Sequence, residues 1–148
     1  MKARYSFFSI AVLALALAPL GAASDAWAGP PGSTSIGGQK VLTLINRDAP
    51  GVRCNNNMQV AAELANVYRI PIQIIPHALA GPGAKAPAVY WGNELLTEDG
   101  GPGNGMTSYV ELQGVMDIEG VPTHAQSGRL MEIKPKLDAL KEAIKDVK

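Results

Sequence analysis

The sequence predicts an α/β domain on a mixed central sheet, and three observations carry that expectation. Two short apolar runs rich in strand formers, residues 41–45 (VLTLI) and 70–75 (IPIQII), flank a segment of helical periodicity. Two further runs, residues 86–91 and 94–97, are separated by Gly92-Asn93, a two-residue hairpin signal. A capped amphipathic segment then starts at Ser108. The order is β-α-β, a loop, β-β-α, and one further helix at the C-terminus.

Residues 41–45 are almost wholly apolar, as suits a strand buried on both faces. Pro50-Gly51 marks the loop that follows. From Cys54 to about Tyr68 the spacing is helical: Val60, Leu64 and Val67 recur at i, i+4 and i+7, with Ala61, Ala62 and Ala65 among them. Asn55, Asn56 and Asn57 stand at the expected start, where asparagine can bond free backbone amides. Pro71 fits the beginning of the second strand, which completes a βαβ unit.

Residues 77–85 (HALAGPGAK) read as loop with at most a vestigial helical turn, and residues 99–105 (DGGPGNG) as a loop with no side chain for a core. Ser108 caps a helix reaching about Glu119, with Glu111 completing a capping box and Leu112, Val115 and Ile118 sharing a face. Residues 120–129 look irregular. Pro135 opens the last helix, lined on one side by Leu137, Leu140, Ile144 and Val147. Lys141, Lys145 and Lys148 suit the negative end of its dipole.

The first 28 residues read as a cleavable export signal. Lys2 and Arg4 precede an apolar run at 10–18, Pro19 and Gly21 break it, and Ala26-Trp27-Ala28 offers small residues for cleavage. The run is shorter than the ~20 residues that cross a bilayer. Cleavage after Ala28 leaves 120 of the 148 residues, expected in the periplasm or outside the cell. Residues 29–39, rich in Pro, Gly and Ser, are expected to be a flexible leader, and residues 40–148 a single domain. Removing Lys2, Arg4 and Asp25 from the 13 basic and 13 acidic residues leaves 11 and 12. Without a basic cluster, nucleic acid and anionic membrane surfaces are poor candidate partners.

The single Cys54 has no internal disulfide partner, so it is a free thiol, a mixed disulfide, a bridge to a second copy or a metal ligand. This cysteine at the start of the first helix, Pro87 at the start of the third strand and the closing ββα together resemble the thioredoxin-like fold. The resemblance spans residues 40–119. It implies an α/β sandwich, β-α-β then β-β-α around a mixed sheet, here with an extra C-terminal helix. The departures are plain. The family's Cys-x-x-Cys reads Cys54-Asn55-Asn56-Asn57, Arg53 replaces the usual aromatic before it, and the helix between the second and third strands is cut to about nine residues. A two-cysteine cycle is excluded for want of a resolving thiol.

What the resemblance implies is a monothiol protein in which Cys54 engages thiols or disulfides, assisted by glutathione or another external thiol and with no required cofactor. A thiol at a helix tip beside Arg53 is shifted toward thiolate, although a cysteine also serves as a small buried hydrophobe. Ala86 would offer its backbone to an extended peptide or glutathione, with Pro87 and Arg53 beside it; the Ala86–Pro87 bond is open to the cis or trans state. Two other readings stand next to this one. The domain can be a non-catalytic binding module, or a copper-handling protein using Cys54 and His77, with His124, Met58 and Met106 as further soft ligands. A homodimer linked through Cys54 is open in an oxidising compartment. Arg47 and Asp48 read as loop surface, and Tyr90 and Trp91 as strand residues on opposite faces, Trp91 being the one that could line a ligand surface.

Overall fold

The computed structural model describes residues 29–147; the expected export signal, residues 1–28, and Lys148 of the expected C-terminal charge pattern lie outside the described residues. In chain order the elements are β1 (Ser35–Ile36), β2 (Gln39–Lys40), β3 (Leu42–Asn46), α1 (Val52–Ala65), β4 (Ile72–Pro76), β5 (Ala88–Trp91), β6 (Glu94–Glu98), α2 (Tyr109–Ile118), α3 (Arg129–Glu132) and α4 (Lys134–Lys145). Short 3₁₀ turns occupy His77–Leu79 and Pro102–Gly105.

The main sheet is mixed, in the order β4-β3-β5-β6. β3 runs parallel to β4 and antiparallel to β5, and β5 pairs antiparallel with β6 across the Gly92-Asn93 turn. β3 is buried at every residue, as its apolar run requires. Alternation then divides its side chains. Leu42 and Leu44, with Val89 and Trp91 of β5, pack against Val60, Ala61 and Leu64 of α1 and Leu112 and Met116 of α2. This is the main core.

The opposite face departs from the expected sandwich. Ile45, Ala88 and Tyr90 meet Ala80, with Ile75, Ala84 and Ala86 around them. The segment from 77 to 86 is too short to span the sheet as a helix, so it covers this face as a loop. The rest comes from the leader. Gln73 Nε2 donates to the carbonyls of Pro31 and Ser33 at 3.2 and 2.9 Å and approaches Thr43 Oγ1 at 2.6 Å. Residues 29–39, expected to be a flexible leader, thus fold back on the domain, and with Lys40 they form the β1–β2 hairpin.

Three helices differ instructively from expectation. α1 begins at Val52, two residues early, with Gly51 as its N-cap and no side-chain cap bond. The asparagine run is inside the helix: Asn55 Nδ2 points backward to the Pro50 and Gly51 carbonyls. In α2 the capping box forms, Ser108 Oγ accepting from the Glu111 amide and Glu111 Oε2 from the Ser108 amide. Its buried stripe is Leu112 and Met116, while Ile118 is 88% exposed; six residues past Leu112 is about 120° off that stripe. α4 docks through Leu137, Lys141 and Ile144, leaving Leu140 and Val147 outward. The stretch after Gly120 is ordered against α1's exit, with Arg69 donating to Pro122 and His124 to Val67. Among the described residues no helix is long and apolar enough to cross a membrane.

Leu44 is fully buried between the sheet and both core helices. Leu44→Ala is expected to lower the unfolding free energy by about 2–5 kcal/mol in a denaturant titration.

Candidate ligand site at the carboxyl end of the sheet

Strand register brings the candidate residues to one end of the sheet. Ile45 pairs with Ala88, so the chain continuing past each strand sets Asn46 and Arg47 alongside Pro87 and Ala86. Arg47 Nε donates to the Ala86 carbonyl at 3.2 Å, and the Ala86–Pro87 peptide bond is cis. Asp99, in the loop after β6, donates its backbone amide to the Pro87 carbonyl at 2.9 Å. Its carboxylate takes an ion pair from Arg53 and a second from Arg47 at 3.4 Å. Arg53 also bonds the Asn104 carbonyl. The Arg53 hydrogen bond, followed by the charges of Arg53 and Arg47, holds the Asp99 carboxyl below its ordinary range against a smaller opposing effect of burial.

A second tie lies one turn into α1. Asn57 is 1% exposed and uses both ends of its amide: Nδ2 donates to Gly105 O at 2.7 Å and Oδ1 accepts from the Thr107 amide at 3.1 Å. Asn56 adds a bond to the Thr107 carbonyl at 2.7 Å. Gly105, at φ +75°, sits so close to Pro87 that any Cβ would collide with its carbonyl oxygen. One continuous path therefore runs from α1 through Asn57 and Gly105 to Pro87.

Cys54 does not occupy the position expected of it. The thiol is 1% exposed. Because α1 starts at Val52, Cys54 is the third helical residue rather than the tip. It shares the sheet-facing stripe with Asn57, Ala61 and Leu64, at i, i+3, i+7 and i+10. The expected accessible thiol is thus a buried one, and the residues exposed at the helix tip are Gly51 and Val52, neither with a reactive side chain. Arg53 and Ala86 are at this end of the sheet as expected, but Arg53 is engaged by Asp99 and the Ala86 carbonyl by Arg47.

The other candidates disperse. His77 closes its own loop through Ala84 O at 2.9 Å, and that loop packs on the sheet face opposite α1, so Cys54 and His77 are not brought together. Met58 packs against the main core, Met106 is 44% exposed, and His124 contacts Ala65 O. Trp91 is buried, with Nε1 bonded to Glu119 at 2.9 Å, and lines no ligand surface; Tyr90 faces the other side as expected. Asp48 accepts from the Ala78 amide.

Sequence reasoning missed Asp99 and the importance of Arg47. Their partners lie 39 to 52 residues away along the chain, so no local spacing signals them. Beside the site, a depression of about 290 Å³ opens between β6, the 102–107 loop and α2, walled by Leu96, Met106, Leu112 and Val115 with Glu111 contributing a carboxylate. No family model, curated protein or solved structure matches this chain.

Asn57→Ala strands a buried amide and a buried carbonyl and is expected to cost about 2–3 kcal/mol, read by thermal or denaturant unfolding. Arg53→Met is expected to raise the Asp99 pKa toward the ordinary value of about 3.9, read by NMR titration. Since Asp99 is depressed in the folded state, its contribution is present above the unfolded pKa and lost as pH falls through the folded one. The same variant is expected to flatten that acid-side loss.

Proposed function

We propose that this is an exported, non-catalytic binding module with a thioredoxin-like arrangement, which grips an extended peptide through the backbone at Ala86, at the end of the sheet. The observation that carries the reading is the burial of the only thiol, in a helix whose next turn is committed to a structural clamp. The element order, the mixed sheet and the placement of Pro87 at the same sheet end as the start of α1 support the thioredoxin-like part of it. The Ala86 carbonyl is an acceptor of the kind a guest backbone amide would use. Its present donor, Arg47, has a half-exposed side chain that can swing into solvent and yield that place.

Thiol exchange, a mixed disulfide with glutathione, a Cys54-linked homodimer and copper capture all need the sulfur at the surface. An attacking thiolate must reach its disulfide in line, and a sulfur 1% exposed beneath the helix offers no such approach. That single fact ranks these readings below binding.

Two measurements test the proposal. Alkylation of Cys54 by iodoacetamide in the native protein is expected to run roughly 100-fold or more below the rate in denaturant, since the reagent must wait for local opening. NMR titration with unstructured peptides is expected to shift the resonances of Arg47, Ala86 and Asp99 together, with Cys54→Ala leaving the affinity unchanged. Native alkylation at the rate of a free cysteine, or ready formation of a glutathione adduct, would return the thiol-exchange reading in its place.

A further inference from the structure

The outer side of α1, away from the sheet, carries an uncommon feature. Glu63 has a completely buried carboxylate, and its two partners both come from the C-terminal arm: Lys134 at 3.0 Å and Lys141, whose side chain is only 15% exposed. Val52, Asn56, Gln59 and Glu63 lie at i, i+4, i+7 and i+11, one stripe of the helix, and α4 lies along it. α4 itself buries no residue. Beneath it, the Gln59 side-chain oxygen is buried with no hydrogen-bond partner among the described residues. The contact is thus held by charge at its centre and is imperfectly satisfied beside it. Such a seam has a low opening free energy compared with an apolar core.

Its position gives opening a consequence. The end of α4 lies near the start of α1: Ile144 and, just past the helix, the exposed Val147 line one open depression with Pro50, Gly51, Val52 and Asn55. The docked arm therefore flanks the helix tip next to Arg53 and the candidate ligand site. Residues 122–127, which lead into the arm, are all exposed, but Pro122 and His124 are hydrogen-bonded to the exit of α1, so the arm has an anchored base from which to swing.

We propose that α3 and α4 form a displaceable strap, latched through the buried Glu63 carboxylate, whose release uncovers the outer face and N-terminal tip of α1 while the sheet and its core stay folded. The inference does not depend on what the sheet end binds. Removing the latch charge strands two lysines against a buried amide, whereas the strap in solution satisfies them with water.

The full chain tests this by hydrogen exchange. In Glu63→Gln, amides of residues 134–145 are expected to exchange at least about tenfold faster than in the unaltered protein, with residues 42–46 and 88–91 unchanged. A second variant, Gln59→Cys, places a thiol under the strap; its alkylation is expected to accelerate by a similar factor when Glu63→Gln is added. Two results would overturn the proposal: unchanged protection of the arm, or loss of protection in the arm and the sheet together, which would make Glu63 part of one cooperative core. A Gln59→Cys thiol labelled equally fast with and without the latch would overturn it as well.

Discussion

The amide of Asn57 is the constraint on which the carboxyl end of this domain's sheet depends. It is buried, it faces the sheet, and it fills both a donor and an acceptor on a loop 48 to 50 residues away. That loop has no apolar anchor and is held by polar contacts alone: residues 99–105 supply no apolar side chain larger than Pro102. With the amide in place, Gly105 is pressed onto Pro87 and Asp99 is presented to the two arginines. A buried polar group is costly when unmatched and specific when matched. Here it selects one arrangement of a glycine-rich loop from the many open to it.

The same amide explains the buried cysteine. In a helix, residues three apart stand on the same side, so the turn that aims Asn57 at the sheet end also aims Cys54 there. Clamp and exposed nucleophile cannot both be had from this register. The structure takes the clamp, and the polar cluster of Arg47, Arg53 and Asp99 is then the feature at this end with chemistry still facing solvent.

Much of the fold was legible because periodicity is local. The strand at 41–45, the Gly92-Asn93 hairpin, the Ser108 capping box and the opposed faces of Tyr90 and Trp91 all follow from runs of a few residues. What was not legible depends on distant partners or on a small phase error. The two-residue shift in the start of α1 turned a surface thiol into an interior one. Lys141 read only as a charge suited to the helix dipole because nothing near it hints at Glu63, 78 residues earlier. Ile118 and Leu140 looked like core positions on apolar character alone, and both face outward. Arg47 read as loop surface, which its exposure supports, while its contact with Ala86 arises only from strand pairing.

The helix-free face of the sheet has a chemical vulnerability that its packing conceals. A single side-chain amide nitrogen, on Gln73, is surrounded by three oxygens: two leader carbonyls and a threonine hydroxyl. Two hydrogens serve all three. Hydrolysis of that amide to a carboxylate, one of the slow spontaneous lesions of an ageing protein, would put oxygen against carbonyl oxygen where a donor had been. The N-terminal segment would be repelled by the residue that now fastens it, and the thinner side of the sheet would be opened to water.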